Sequence, residues 1–516
     1  MNYSEKNYWW IVLGLALILL LPGLGRTSLW IFDEARNAEC AREMFERNDW
    51  IVPTFNGELR AIKPPLHYYF MFGGFKLFGI SEWGARFFSA IFGVLTILIT
   101  YFFIRRYSSA RHALISCLVL LTSTHFLFQF RMSVPDPYLI FFNVLAIFSG
   151  FAYFQEKQDR WLWICAIAMG LGTLAKGPVA IAIPGAVILC WLIWEKRWKE
   201  IQFGKIVLAA ILTMAIAVPW YLLVHGATGG AFTKGFFIDN NINRFSSPLE
   251  GHGGFFLLIP VFVVVGLLPS SVFFVESFKK NTNLYKNSFL RLCFLAIAIY
   301  VVFYSFSGTK LPNYPIPGYA FAAVLLGNYF VRLLERKKTA IYPFFILLAV
   351  NLALPVLAFI AIRNEPATKG YENLALFLLV LVTGTLASIV FVHKRKHTRA
   401  LITLFATYTV FNLIFLHILY PAIYQNNPLT KTRDMLNKFD KVVGYKIFQP
   451  SFTFYLPERV KVFKDIDSLR HYLEHNKALI LSRTAYMDEL KELPLRTVAK
   501  EHDIFELPTT LLVTNQ

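Results

Sequence analysis

Charge is scarce in this chain, and negative charge is the scarcer sign. Of the 516 residues, 16% are charged; 32 are acidic against 51 Lys and Arg, while 56% are hydrophobic and 17% aromatic. That balance excludes an ordinary soluble globule. Cysteine is equally thin. Cys40, Cys117, Cys165, Cys190 and Cys293 have no paired spacing, so neither a disulfide framework nor a thiolate metal site is indicated. No small-residue cleavage site follows the first apolar run, which therefore reads as an uncleaved anchor and not a signal peptide. Internal repeats and low-complexity linkers are missing as well. "GLGTLAKGP" lacks the Gly-Lys-Ser/Thr ending and the strand-loop-helix context of a phosphate loop. The lone Asp-x-Asp, "DID" at 465–467, is better explained by Asp467 as the N-cap of the helix "SLRHYLEHN".

Long apolar runs are what the chain does have. About thirteen recur, centred near residues 16, 95, 121, 146, 168, 186, 215, 265, 298, 325, 351, 382 and 410, each near the length that crosses a hydrocarbon core. With the N-terminus inside, the inner loops hold 21 Lys and Arg and the short outer loops hold 7. This asymmetry fixes orientation by the positive-inside rule. The net charge of +19 is thus a topology signal and not a nucleic-acid footprint; contact with membrane lipids is the partner it suggests. The expected fold is an all-α polytopic membrane domain over 1–420 with a small α/β domain over 421–516 outside. Strands are expected at "VVGYKIF", "FTFYL", "VKVF", "ALIL" and "TLLV", with helices at "SLRHYLEHN" and "YMDELKEL".

The first outer loop, 26–83, is the longest in the membrane part. It begins with "FDEARNAECAREMFERNDW", a charged segment placed directly after an apolar run. Asp33 is expected to cap a helix reaching about Asn48, supported by Glu39 with Arg42 and Glu43 with Arg47. After "KPP", the stretch "LHYYFMFGGFKLFG" is too short to span and suits a helix lying on the membrane surface. Once topology is assigned, the unusual polar residues converge on one face: Asp33, Glu34, Arg36 and Lys63 in the first loop, Arg131 and Asp136 in "RMSVPDP", Lys176 in "AKGP", Arg244 and His252 in "NRFSSPLEGHGG", and Lys310 and Tyr314 in "GTKLPNYPIP". Carboxylates beside fixed cations at a membrane surface suit chemistry on an anionic lipid head group, where a phosphate leaving group needs positive charge and an acceptor needs a base. Each residue alone has a plainer reading. Asp33 can be a cap, Asp136 a turn residue, Lys63 a solvated lysine and Lys176 a snorkelling one. Pro64 and Pro65 stiffen the chain after Lys63, which suits a held group.

In order, "FDEARNAECAREM…DWIVPTFNGELRAIKPPLHYY…GISEWGARFFSAIFG", "RMSVPD", "LAKGP", "PWY" and "SGTKLPNYPIP" resemble the GT-C glycosyltransferases. The nearest branch is the aminoarabinose transferase of lipid A, with its protein O-mannosyltransferase relatives. The resemblance covers residues 20 to 330 and, in outline, the C-terminal domain. It implies inverting transfer of a sugar from a polyprenyl-phosphate carrier to a lipid A, glycan or protein acceptor on the outer face of a bacterial inner membrane, with the C-terminal domain in the periplasm. It also implies catalytic roles for Asp33, Glu34 and Asp136, donor-phosphate contacts from Lys63, Arg36, Lys310, Tyr314 and Lys176, and pocket positions at Arg86, Arg131, Arg244 and His252. At position 62 this chain has Ile where the aminoarabinose branch usually has Glu, and the outer-loop histidine is single. The sugar and a divalent metal are therefore left open, and no other cofactor is expected. A transporter or flippase would keep its ionisable groups near the bilayer midplane, and a polymerase or ligase would place its major outer loop late in the chain.

Overall fold

In a computed structural model of the protein, the described residues are 7–243, 253–279, 286–336 and 340–516. Every apolar run of the sequence falls on a helix. The first ten helices are α1 (Tyr8–Leu20), α2 (Phe32–Glu46), α3 (Leu66–Phe78), α4 (Glu82–Tyr107), α5 (Ala110–Thr122), α6 (Thr124–Gln129), α7 (Asp136–Glu156), α8 (Asp159–Lys176), α9 (Val179–Trp194) and α10 (Phe203–Ala227). Among the described residues eight helices, α4 the first and His397–Tyr424 the last, are long and apolar enough to cross a membrane. A ninth crossing would be the pair Leu258–Gly266 and Ser270–Lys279, bent by 111°. The helices α1, α5 and α9 are shorter, and α8 carries Asp159, Arg160 and Lys176 at its ends. The expected thirteen stand as apolar helices; as full crossings, eight or nine meet the length and composition needed.

Local chemistry sets the ends. Ser81 caps α4 by accepting from Gly84 N at 3.1 Å, and Ser109 caps α5 by accepting from His112 N at 3.1 Å, the usual N-cap arrangement. The helix α7 lies at the centre, 89% buried over its apolar window, packed by α4, α8 and α9. The helix Tyr342–Asn364, at 17%, faces outward. The surface segment of the first loop is helical as expected: α3 lies against α2 and α4. The α3–α4 crossing needs two glycines, since a Cβ on Gly74 would fall 2.0 Å from the Gly84 carbonyl oxygen.

The last apolar helix runs to Tyr424, and a five-stranded sheet domain follows. Numbered after the small first-loop hairpin of β1 (Thr54–Phe55) and β2 (Glu58–Leu59), its strands are β3 (Val442–Tyr445), β4 (Lys461–Phe463), β5 (Leu479–Arg483), β6 (Arg496–His502) and β7 (Thr509–Thr514). The order is β4-β3-β5-β7-β6, with β3 parallel to both neighbours and β7 antiparallel to both of its own. Two sequence expectations change. "FTFYL" forms a 3-10 turn within Pro450–Tyr455 that packs against α2. Asp465, not Asp467, caps the helix Ile466–His475, accepting from Ser468 N at 2.8 Å. The domain docks on the first loop. Asn56 exchanges two 2.8 Å hydrogen bonds with the backbone of Val460, and the Tyr455 hydroxyl accepts from Leu29 N at 2.7 Å while donating to Glu82 at 3.0 Å.

One buried ion pair joins this loop to the membrane helices. The Glu34 carboxylate on α2 accepts from Arg86 Nε at 2.8 Å and Nη2 at 2.7 Å on α4; the two residues are 1% and 3% exposed. Arg86 spends its other donors on the carbonyls of Leu24 and Thr27, each at 2.7 Å, and of Ser28 at 3.2 Å. Glu34 also accepts from Ser133 N at 2.9 Å. Beside it, Arg131 donates to the carbonyls of Leu19, Leu20 and Pro22 at 2.8–3.1 Å, satisfying acceptors that α1 leaves open at its C-terminal end. Removing one member of such a pair strands the other. Arg86→Met should destabilise the protein by about 3–5 kcal/mol, read as a lowered denaturation midpoint in detergent, and the double variant with Glu34→Gln should recover part of the loss. An unchanged midpoint for the single variant would show that the pair holds nothing.

Candidate active site

Asp33 lies in the first turn of α2, where the helix dipole favours negative charge. It is not the cap: Ile31 occupies that position, Asp33 is the second helical residue, and α2 ends at Glu46, short of Asn48. The ion pairs expected along α2 are present, Arg42 with Glu39 at 2.8 Å and Arg47 with Glu43 at 3.4 Å. Glu43 also accepts from Gly57 N at 3.1 Å, which ties the β1–β2 hairpin to the helix. The chain then returns through Ile62 and Lys63 to Pro64 and to Pro65, the N-cap residue of α3. His67 in the first turn of α3 is fully buried. Burial, with the nearby charges of Lys63 and Arg60, holds its pKa well below the usual imidazole range, so it adds no cation. Burial likewise pushes the Cys40 thiol up to about 12, which makes it an inert packing residue.

The opposite wall comes from three turns. Asp136 opens α7 between Pro135 and Pro137, and Lys176 closes α8. The Lys176 ammonium donates to Asp136 Oδ1 at 2.6 Å, and Asn313 Nδ2 donates to the same oxygen at 2.8 Å. Lys176 also sits 5.3 Å from the centre of the Tyr314 ring, a cation–π distance. Gly177 turns the chain from α8 towards α9 at φ +93°, a conformation that costs a glycine little. A Cβ there would lie 2.7 Å from the Phe236 ring.

Between these walls is a cavity of about 610 Å³. Asp33, Ile62, Lys63, Asp136, Lys176, Asn313 and Tyr314 all line it, with Phe236, Phe237, Tyr304 and Phe303 supplying apolar surface. Five of the residues singled out in the sequence thus share one chamber: Asp33, Lys63, Asp136, Lys176 and Tyr314. The others go elsewhere. Glu34, Arg86 and Arg131 border a separate small void and hold backbone together. The Arg36 guanidinium lies 3.5 Å from the centre of the Phe32 ring, outside the chamber lining. Lys310 is buried and donates to the carbonyl of Ser307, a lining residue, at 2.8 Å, without itself being among the lining residues. Arg244 and His252 lie outside the described residues. Sequence reasoning missed Asn313, although it adjoins Tyr314. It also missed the segment Lys234–Asn243, whose Asn240 donates to the Ala61 carbonyl at 3.2 Å and so lays this wall beside Ile62 and Lys63.

Among the described residues the chamber does not bring three His, Cys, Asp or Glu ligand atoms together. Asp136 Oδ1 already holds an ammonium and an amide. Among the described residues, the group of three His, Cys, Asp or Glu ligand atoms that converges is His471, Glu474 and His475, exposed on the C-terminal domain. What the chamber can do is hold an anion against ammonium groups and present a carboxylate to a hydroxyl.

Residues 10–228 match the model of the dolichyl-phosphate-mannose-protein mannosyltransferase family. The chain is 31% identical over 305 residues to an uncharacterized protein of Aquifex aeolicus, covering 59% of this chain and 69% of that one. It is 28% identical over 393 residues to an undecaprenyl phosphate-alpha-4-amino-4-deoxy-L-arabinose arabinosyl transferase of Pseudomonas aeruginosa, covering 75% and 71%. It spans less of other relatives, 63% and 58% of their lengths. Its fold superposes on the crystal structure of ArnT from Cupriavidus metallidurans bound to undecaprenyl phosphate with a TM-score of 0.83 at 20% identity, over 99% of this chain and 98% of that one. The chain belongs to the GT-C membrane glycosyltransferases of the aminoarabinose transferase and protein mannosyltransferase type.

In this GT-C chain the chamber is built from helix ends, so its geometry hangs on the turns. Gly177→Ala forces both a strained φ and a clash with Phe236, and should cost about 1–3 kcal/mol, seen as a lower melting temperature in detergent. Wild-type melting would mean that Phe236 and the turn yield freely.

Proposed function

We propose that this chain is an inverting glycosyltransferase that moves a sugar from a polyprenyl-phosphate carrier to an acceptor at the outer face of the bacterial inner membrane. The observation that carries the reading is the single chamber in which Asp33 and Lys63 from the first loop share the lining with the Asp136–Lys176 pair. The structure of a fold neighbour bound to undecaprenyl phosphate supports the donor class. The charge asymmetry of the loops supports the outer-face placement and a periplasmic C-terminal domain.

The roles follow from the geometry. Asp136 has one oxygen committed to Lys176 and Asn313, which suits it to positioning. Asp33 is assigned as the base: it accepts the proton of the acceptor hydroxyl or phosphate. The acceptor oxygen bonds to the anomeric carbon from the side opposite the carrier, the bond from that carbon to the phosphate oxygen breaks, and its electron pair leaves with the polyprenyl phosphate. One displacement inverts the anomeric centre. Lys63 neutralises the phosphate as its charge grows. At about 4 Å such a contact is worth roughly 1 kcal/mol in water and about 4 kcal/mol where the effective dielectric falls to around 20. Lys176 beside Tyr314 supplies a second ammonium in the same chamber. The acceptor is a lipid A, glycan or protein group, and the sugar is a pentose or hexose.

Asp33→Asn keeps the size and the helix turn but cannot take the proton. It should insert normally and lose about 10²-fold or more in turnover, measured with labelled polyprenyl-phosphate sugar. Full turnover in folded Asp33→Asn protein would remove the assignment. Lys63→Ala should weaken binding of polyprenyl phosphate in nanodiscs about tenfold or more, as expected for losing a partly desolvated ammonium contact. Equal affinity would place the phosphate elsewhere.

A further inference from the structure

The β6–β7 hairpin ends in "DIFELP", residues 503–508. Its turn is closed by Asp503 N to the Pro508 carbonyl at 3.1 Å and Glu506 N to the Asp503 carbonyl at 3.0 Å. Ile504 points inward and packs in the cluster around Trp30 and Tyr424. Phe505 and Leu507 do the opposite, being 58% and 97% exposed. Phe505 has φ +58°, a left-handed conformation that bulky residues rarely adopt, so the backbone is strained where the ring turns outward.

The position of this tip matters more than its exposure, because single apolar residues are common on surfaces. The Phe505 N–H donates to Glu365 Oε2 at 3.2 Å, and His502 Nε2 lies 3.6 Å from Glu365 Oε1. Glu365 is the first residue after the helix Tyr342–Asn364, the outward-facing span. The next span opens at Glu372, and Leu376, Phe377 and Leu379 in its first turns are exposed apolar residues as well. The tip is thus bonded to the chain where one span leaves the bilayer and the next enters it. Asp503 is buried and paired with Arg483; Glu506, between Phe505 and Leu507, is exposed, so the tip can enter only to the head-group boundary, where that carboxyl still meets water.

We propose that the 503–508 tip is a membrane anchor: Phe505 and Leu507 insert among the acyl chains of the adjoining leaflet and fix the C-terminal domain over the membrane. Exposed Phe and Leu on a turn flanked by polar groups suit the boundary between head groups and hydrocarbon. The anchor is independent of the proposed chemistry. It constrains the sheet domain, which in turn covers the first loop through Asn56 and Tyr455.

The test uses the full chain in nanodiscs with Cys190→Ser, since the other four cysteines are buried. Leu507→Cys is labelled with an environment-sensitive fluorophore. A second variant, Arg496→Cys, carries the label at the opposite end of β6, roughly 20 Å away along the strand. Phospholipid with a doxyl group high on its acyl chain should quench the label at position 507 and leave it shielded from iodide, while the label at 496 should show the reverse. Iodide quenching at 507 without doxyl quenching would overturn the anchor. Shielding from both quenchers at 507 would also overturn it, because a protein surface and not lipid would then cover the tip.

Discussion

The arrangement depends on the ion pair between Glu34 and Arg86. A carboxylate and a guanidinium this deeply buried are costly unless every donor and acceptor is used, and here Arg86 spends its donors on Glu34 and three carbonyls while Glu34 also takes Ser133. Four pieces of chain meet there: the turn after α1, the first turn of α2, the start of α4 and the turn before α7. Asp33 precedes Glu34 by one residue, and Asp136 follows Ser133 by three. The pair therefore sets the two chamber carboxylates relative to each other without touching the chamber.

That placement follows from the scarcity of charge. In a chain this apolar, an ionisable group must be paired, snorkel to water or lie where a ligand supplies its counter-charge. The structure uses the first solution for Glu34, for Arg42 and for the Asp136–Lys176 pair. It gathers Lys63 with Asp33 and that pair in one chamber, two ammonium groups against two carboxylates. Because the chamber wall is made of helix ends and turns, Gly177 and the prolines beside Lys63 and Asp136 decide whether those ends meet.

The sequence showed much of this, and its failures have physical reasons. Apolar runs mark helices reliably, since each follows from composition alone; how many of them cross is a question of length at helices such as α5 and α9. The chamber residues Asp33, Lys63, Asp136, Lys176 and Tyr314 were legible because topology put them on one face. Glu34 and Arg86 were drawn into the same group because a charge looks alike in sequence whether it serves chemistry or structure, and its partner lay 52 residues away. Arg36 is not among the chamber-lining residues; its guanidinium lies over Phe32, one helical turn earlier. "FTFYL" has strand composition, yet it packs as a 3-10 turn against α2. β6 was passed over because "RTVAKEH" is half exposed and carries charges on an edge strand, where polar residues are tolerated.

Donor class is the point on which the account turns. On the proposed reading the chamber, bordered by ammonium groups and apolar walls, takes a donor whose carrier dissolves in the bilayer, where each buried methylene contributes about 0.8 kcal/mol. A nucleotide sugar gains nothing from that position. The most direct measurement is sugar transfer by purified protein in liposomes, given a labelled polyprenyl-phosphate sugar in one reaction and a panel of nucleotide sugars in another. Transfer is expected from the polyprenyl-phosphate sugar alone; transfer from a nucleotide sugar with polyprenyl phosphate wholly absent would overturn the assigned donor class.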